Sequence, residues 1–158
     1  MGARERYDAG TAEARGFAAV GPVVLGTLSS RVEPEAERVA IESAVENGVP
    51  LLVVNAMPMP HCPRALVFAG PGALTFPHEE DYDAVRATAQ RAASWGLKVE
   101  HLRVTSPRPA KALVQIANER GAGLLVLGPK RKGIFRFWRA AREVRRSATC
   151  LAWIAEDD

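Results

Sequence analysis

The sequence predicts an α/β protein: a parallel sheet covered by helices on both faces. Short apolar runs rich in branched residues recur along the chain, at residues 23–28, 51–55, 97–105, 124–127 and 150–154. Between them lie amphipathic stretches of roughly 11–17 residues with the helical period. Strands that alternate with helices pair in parallel, because each helix carries the chain back across the sheet. Such strands are covered on both faces, so they read as continuous apolar runs. A chain of 158 residues forms one domain and buries a core without staples.

Residues 1–20 alternate Ala, Gly and charge without a sustained period and read as a loose leader to a domain at 21–156. Gly21-Pro22 opens the first strand, 23–28. Ser29-Ser30 offers a cap for the next helix, Pro34 suits its first turn, and Glu33, Glu35 and Glu37 suit the positive end of its dipole. Ala36, Val39, Ala40, Ser43 and Ala44 form the inward face of that helix, and Asn47-Gly48 ends it. Pro50 starts the second strand, 51–55.

Residues 57–77 are rich in Pro and Gly and too long for a default connection. They read as an irregular insertion or a lid, with a short strand at 65–69. Acidic His78-Glu79-Glu80-Asp81 begins the next helix, with Tyr82, Val85, Ala89 and Ala92 inward and Gly96 after its end. The third strand, 97–105, leads to Pro109, which opens a helix carrying Ala110, Leu113, Val114, Ile116 and Ala117, closed by Gly121. The fourth strand, 124–127, runs into Gly128. A helix at 135–147 places Phe137, Ala140, Ala141, Val144 and Ala148 on one side. Arg139, Arg142 and Arg146 fall on the other side, with Trp138 at the border.

Apolar residues make up 47% and charged residues 25%, a balance that excludes a disordered or fibrous chain. Two cysteines exclude a disulfide framework and suit a reducing cytoplasm. No apolar run reaches the roughly 18–20 residues of a membrane span. The first residues lack an apolar signal region, and Arg6 stands where a myristoylation signal needs Ser or Thr, so a cytoplasmic location is expected. The net charge of +3 hides a sharp asymmetry. Residues 1–128 carry 13 basic and 14 acidic side chains, whereas 129–146 hold eight cations against Glu143 alone. Any anion is therefore drawn to one region.

In order and spacing the chain resembles the universal stress protein family. Residues 23–30 resemble the family's opening strand and Ser-rich turn. Residues 99–128 resemble its most recognisable block, with Arg108-Pro109-Ala110-Lys111-Ala112-Leu113 opening the helix and Gly121-Ala122-Gly123-Leu124-Leu125-Val126-Leu127-Gly128 closing the block. The resemblance covers roughly residues 21–156 without 57–77. It implies a single Rossmann-like domain of the adenine-nucleotide alpha-hydrolase type, with a five-stranded parallel sheet in the order 3-2-1-4-5. Ligands of such sheets bind at the switch point between the first and fourth strands. It also implies a homodimer through the last strand, which opens on Cys150 and ends on Ile154. That pairing would cover an apolar edge carrying Trp153.

Nucleotide-binding members share a Gly-x2-Gly-x9-Gly-Ser/Thr loop, whose amides approach the phosphates at a helix N-terminus. Laid on this chain, the pattern falls on Gly128, Arg131, Ala141 and Arg142, so one glycine of three survives. Those members also carry an Asp near the end of the first strand, where this chain has Leu28. The chain is thus closer to the subclass that lacks the ATP motif.

Two readings follow. The first is a non-catalytic stress-response or regulatory module that requires no cofactor. The alternative binds ATP, AMP or another phosphate ligand with Ser29, Ser30, Gly128, Lys130, Arg131 and Arg142, replacing amides by side-chain charge. A solvated basic loop and helix face is the commoner explanation of such a run. Nucleic acid is not an expected partner: Phe137 is on the core side, which leaves only Phe135 and Trp138 to stack on bases, and no binding motif accompanies them. Adjacent His61-Cys62, with His78 and His101 at no ligand spacing, gives no metal site. Met57 and Met59 read as caps on the core. No nucleophile–base constellation or carboxylate pair can be placed at the switch point, so no enzyme is expected.

Overall fold

The computed structural model describes residues 21–29, 31–59, 80–128 and 134–155, with the backbone alone described at 80–82 and 134–136. The described residues alternate strand and helix throughout: β1 Val23–Thr27, α1 Pro34–Asn47, β2 Leu51–Pro58, α2 Glu80–Ser94, β3 Val99–Ser106, α3 Pro109–Glu119, β4 Leu124–Leu127, α4 Ile134–Ser147 and β5 Leu151–Ile154. The strands form one parallel sheet in the order β3-β2-β1-β4-β5. The expected fold class and strand order are therefore those observed. The leader at 1–20 and the short strand at 65–69 lie outside the described residues.

Two cores follow from the two-residue strand period. Val23, Leu25, Leu51, Val53, Leu124 and Val126 face α1 and α2, meeting Ala36, Ala40, Val85 and Ala92. Val24, Leu52, Val54, Leu125 and Leu127 face α3 and α4, meeting Leu113, Ala117, Phe137 and Val144. Every inward residue expected of α1 is buried, and Ile41 joins them.

Several boundaries moved for identifiable reasons. Leu28 leaves β1 because the Thr27 hydroxyl opens a turn there. β2 runs three residues past Asn55, taking in Met57 and Pro58 of the expected insertion. Beyond Asn55 its only paired strand among the described residues is β3, and a proline is tolerated where a strand has no second partner. The cap of α1 is neither Ser29 nor Ser30: it is Glu33, whose Oε2 accepts the Ala36 N–H at 2.8 Å. Pro34 fixes this start, since its ring presets the first helical φ and the residue before it is extended. Gly48 closes α1 at φ 62°, a left-handed conformation that lets its N–H reach the Ala44 and Val45 carbonyls.

Trp153 is buried in the domain's own core, against the expectation of an apolar side chain exposed on the edge. Leu151 and Ala152 remain half-buried on this edge strand of four residues. No helix among the described residues is long and apolar enough to cross a membrane.

Candidate functional site

The strand order reverses between β1 and β4, so the C-terminal ends of these two strands frame the crevice of the sheet. The loop after β1 and the first turn of α1 form one wall, and Gly128 forms the other. A Cβ on Gly128 would stand 2.5 Å from Glu33 Cβ and 3.1 Å from Ala36 Cβ. Only hydrogen fits there, and α1 sits directly on the end of β4. Packing alone accounts for the glycine that the sequence aligned with a phosphate loop.

The loop after β1 is closed on itself. Thr27 is buried; its single hydroxyl proton has the Ser29 and Arg31 carbonyls both in reach at 2.9 Å and is shared between them, while its oxygen accepts the Ser29 N–H at 3.2 Å. The Ser29 hydroxyl donates to the Arg31 carbonyl at 2.9 Å and accepts the Arg31 N–H at 3.3 Å. Both hydroxyl protons thus serve the loop's own backbone. Leu28, in the place of the family's Asp, packs against the α3–α4 core.

Carboxylates crowd the α1 end of this wall, and Arg31 stands exposed in the loop before it. A helix N-terminus attracts negative charge, but the Glu33 carboxylate already takes the Ala36 N–H, and Glu35 and Glu37 share the first turn. Glu37 is tied sideways to α2. Its carboxylate accepts Arg91 Nε at 2.7 Å and Nη2 at 2.8 Å, and the buried Thr88 hydroxyl at 2.8 Å. The Arg91 guanidinium holds the Glu37 carboxyl below its usual range, against the opposing effect of burial.

One polar atom stands apart. Asn55, 1% exposed and paired in register with Thr27, donates from Nδ2 to the Ser29 carbonyl at a long 3.5 Å. Asn55 Oδ1 has no hydrogen-bond partner among the described residues. A buried acceptor left unpaired costs about 1–3 kcal/mol.

The structure therefore brings Ser29 and Gly128 to the switch point. Arg142 is exposed on the outer face of α4, opposite buried Ala141 and Val144. No hydrogen bond or ion pair joins it to Ser29 or Gly128 among the described residues. Ser30, Lys130 and Arg131 lie outside those residues. Sequence reading missed Thr27, Glu33 in its capping role, and Asn55. The last had a legible signal, a lone amide ending the apolar run Leu51-Leu52-Val53-Val54.

The model of the universal stress protein family matches residues 20–155, most of the chain. The chain belongs to the universal stress protein family. Among solved structures it is similar to a universal stress protein from Archaeoglobus fulgidus, 22% identical with a TM-score of 0.56, over 86% of this chain and 98% of that one. It is similar also to the universal stress protein UspA of Lactobacillus plantarum, 16% identical with a TM-score of 0.66, over 85% and 97%. A universal stress protein from Archaeoglobus fulgidus in complex with dAMP aligns at 24% identity and a TM-score of 0.55, over 87% and 99%. Comparison with curated proteins gives no match. In this universal stress protein the Glu33 carboxylate holds a helix amide at the switch point, and the Thr27 and Ser29 hydroxyls are committed to the loop's own carbonyls. Among the described residues Asn55 Oδ1 is the buried side-chain acceptor left without a partner.

Proposed function

We propose that this universal stress protein acts as a non-catalytic regulatory module whose switch point is closed by its own side chains. One observation carries the reading: the Glu33 carboxylate occupies the α1 N-terminus where that helix meets Gly128. A resident carboxylate there satisfies a helix amide and repels a phosphate, so the state of the protein is not set by adenine nucleotide. Mass spectrometry of the purified protein after gentle denaturation tests this. The expected result is no stoichiometric ATP or AMP; a nucleotide released at one per chain overturns the reading.

The module is proposed to work as a homodimer through β5, which lies at the sheet edge with no strand on its outer side among the described residues. The half-buried Leu151 and Ala152, rather than Trp153, are the side chains such pairing would cover. Light scattering is expected to give twice the 17.0 kDa chain mass; a concentration-independent monomer removes the dimer.

A second reading, an adenine nucleotide or other phosphate ligand, has two supports. Asn55 Oδ1 wants a donor such as an amino or hydroxyl group, and one relative is described in complex with dAMP. If a nucleotide does bind, Asn55→Ala should weaken it about tenfold, the worth of one buried hydrogen bond.

A further inference from the structure

α1 and α2 pack side by side on the sheet, and the cleft between their outer faces is a cavity of about 560 Å³. That is the size of a small-molecule site. Its wall is built by the helical spacing of Ile41 and Val45 on α1 and by Trp95 just past the end of α2. Val45 is 45% exposed and Trp95 69% exposed. Two large apolar groups held in water along one cleft make a surface that gains by being covered.

The charges of the cleft are uneven. Arg91 is taken by Glu37, and Arg38 by Glu42 at 2.9 Å. Glu46 has no hydrogen bond or ion pair among the described residues. It stands in the last turn of α1, which contains no basic residue. A carboxylate at the negative end of a helix dipole is unfavourable without a cation, and the protein's own cations in the cleft are spoken for. Glu46 and Trp95 both line the cleft, so a ligand ammonium held there is drawn to the carboxylate and to the indole ring.

We infer that this cleft binds a small organic monocation with an apolar body, an alkyl- or arylalkyl-ammonium. Its charge sits by Glu46 and Trp95, and its hydrocarbon lies along Ile41 and Val45. The site is separate from the nucleotide question at the switch point.

The test titrates the whole chain with 4-phenylbutylamine and with its neutral isostere 4-phenylbutanol, following the Trp95 indole N–H by NMR. The amine is expected to bind with a dissociation constant on the order of 1 mM, the range of a small ligand in an open site. The alcohol should bind at least about threefold more weakly, the worth of an exposed charge pair with Glu46. Glu46→Gln, a surface change that leaves the fold intact, should abolish that preference while sparing the alcohol. Trp95→Ala should weaken both ligands. Equal binding of amine and alcohol, an unmoved Trp95 signal, or a preference retained by Glu46→Gln overturns the inference. So does a Trp95 signal that moves with protein concentration and ignores the amine, because a second copy of the chain then covers the cleft.

Discussion

Glu33 and Gly128 are in contact across the switch point, so close that a methyl on the glycine would stand 2.5 Å from Glu33 Cβ. The contact joins two features that look unrelated in the sequence, a glycine after a strand and a glutamate before a proline. The glycine lets α1 settle on the end of β4. The glutamate then caps α1 with its own carboxylate. Together they pack the first turn of α1 against the end of β4, beside the place where open α/β folds take their ligands.

Gly128→Ala should destabilise the domain by about 1–3 kcal/mol, the cost of forcing a methyl into packed backbone. The loss is expected in urea unfolding with no ligand present. A neutral result would mean that α1 gives way freely, and Gly128 would then need another reason to be glycine.

The closed turn after β1 rests on the Thr27 hydroxyl. Thr27→Val keeps the shape and removes the donor to the Ser29 and Arg31 carbonyls. A loss of about 1–2 kcal/mol is expected, with the Ser29 amide exchanging faster with solvent. Unchanged exchange at Ser29 would show that the hydroxyl does not organise the loop.

Stability should fall with pH in two stages. Burial and the charges of Arg86 and Arg103 hold the His101 imidazole below its usual 6.5, so the folded state binds fewer protons there than the unfolded chain. That contribution is present above pH 6.5 and is lost as pH falls below it. The Glu37 carboxyl, held by Arg91 below its usual 4.5, contributes stability present above pH 4.5 and lost as pH falls through its folded value. Glu37→Gln should therefore cost about 1 kcal/mol at pH 7 and progressively less below pH 4.5. Parallel pH profiles for the two proteins would remove the Glu37–Arg91 pair as a source of stability.

Cys150 is half-buried, and desolvation pushes its thiol above the usual 9.0. The thiolate is the reactive form. Alkylation of Cys150 in the folded protein at pH 8 should be slow and should accelerate on unfolding. Equal rates in both states would place this sulfur in water.

The sheet was legible in the sequence because buried parallel strands write themselves as unbroken runs such as Leu124-Leu125-Val126-Leu127. The faces of α1 and α4 were legible from period alone. Cap identity was not. Glu33 is an unusual capping residue, and what makes it one is Pro34 behind it and the bare Gly128 against which it lies. Long-range contacts of this kind leave no local pattern. Asn55 was visible as a polar break in an apolar strand, but the Ser29 carbonyl it reaches lies 26 residues away in sequence. Trp153 looked like an edge residue, yet the strand's alternation turns it into the core beneath α1.

Calorimetric titration of the purified protein with ATP and with AMP tests the closed switch point most directly. The prediction is no saturable heat with either nucleotide up to millimolar concentration. A saturable isotherm with one site per chain would contradict it, and would mean that Glu33 leaves room for the ligand it is argued to exclude.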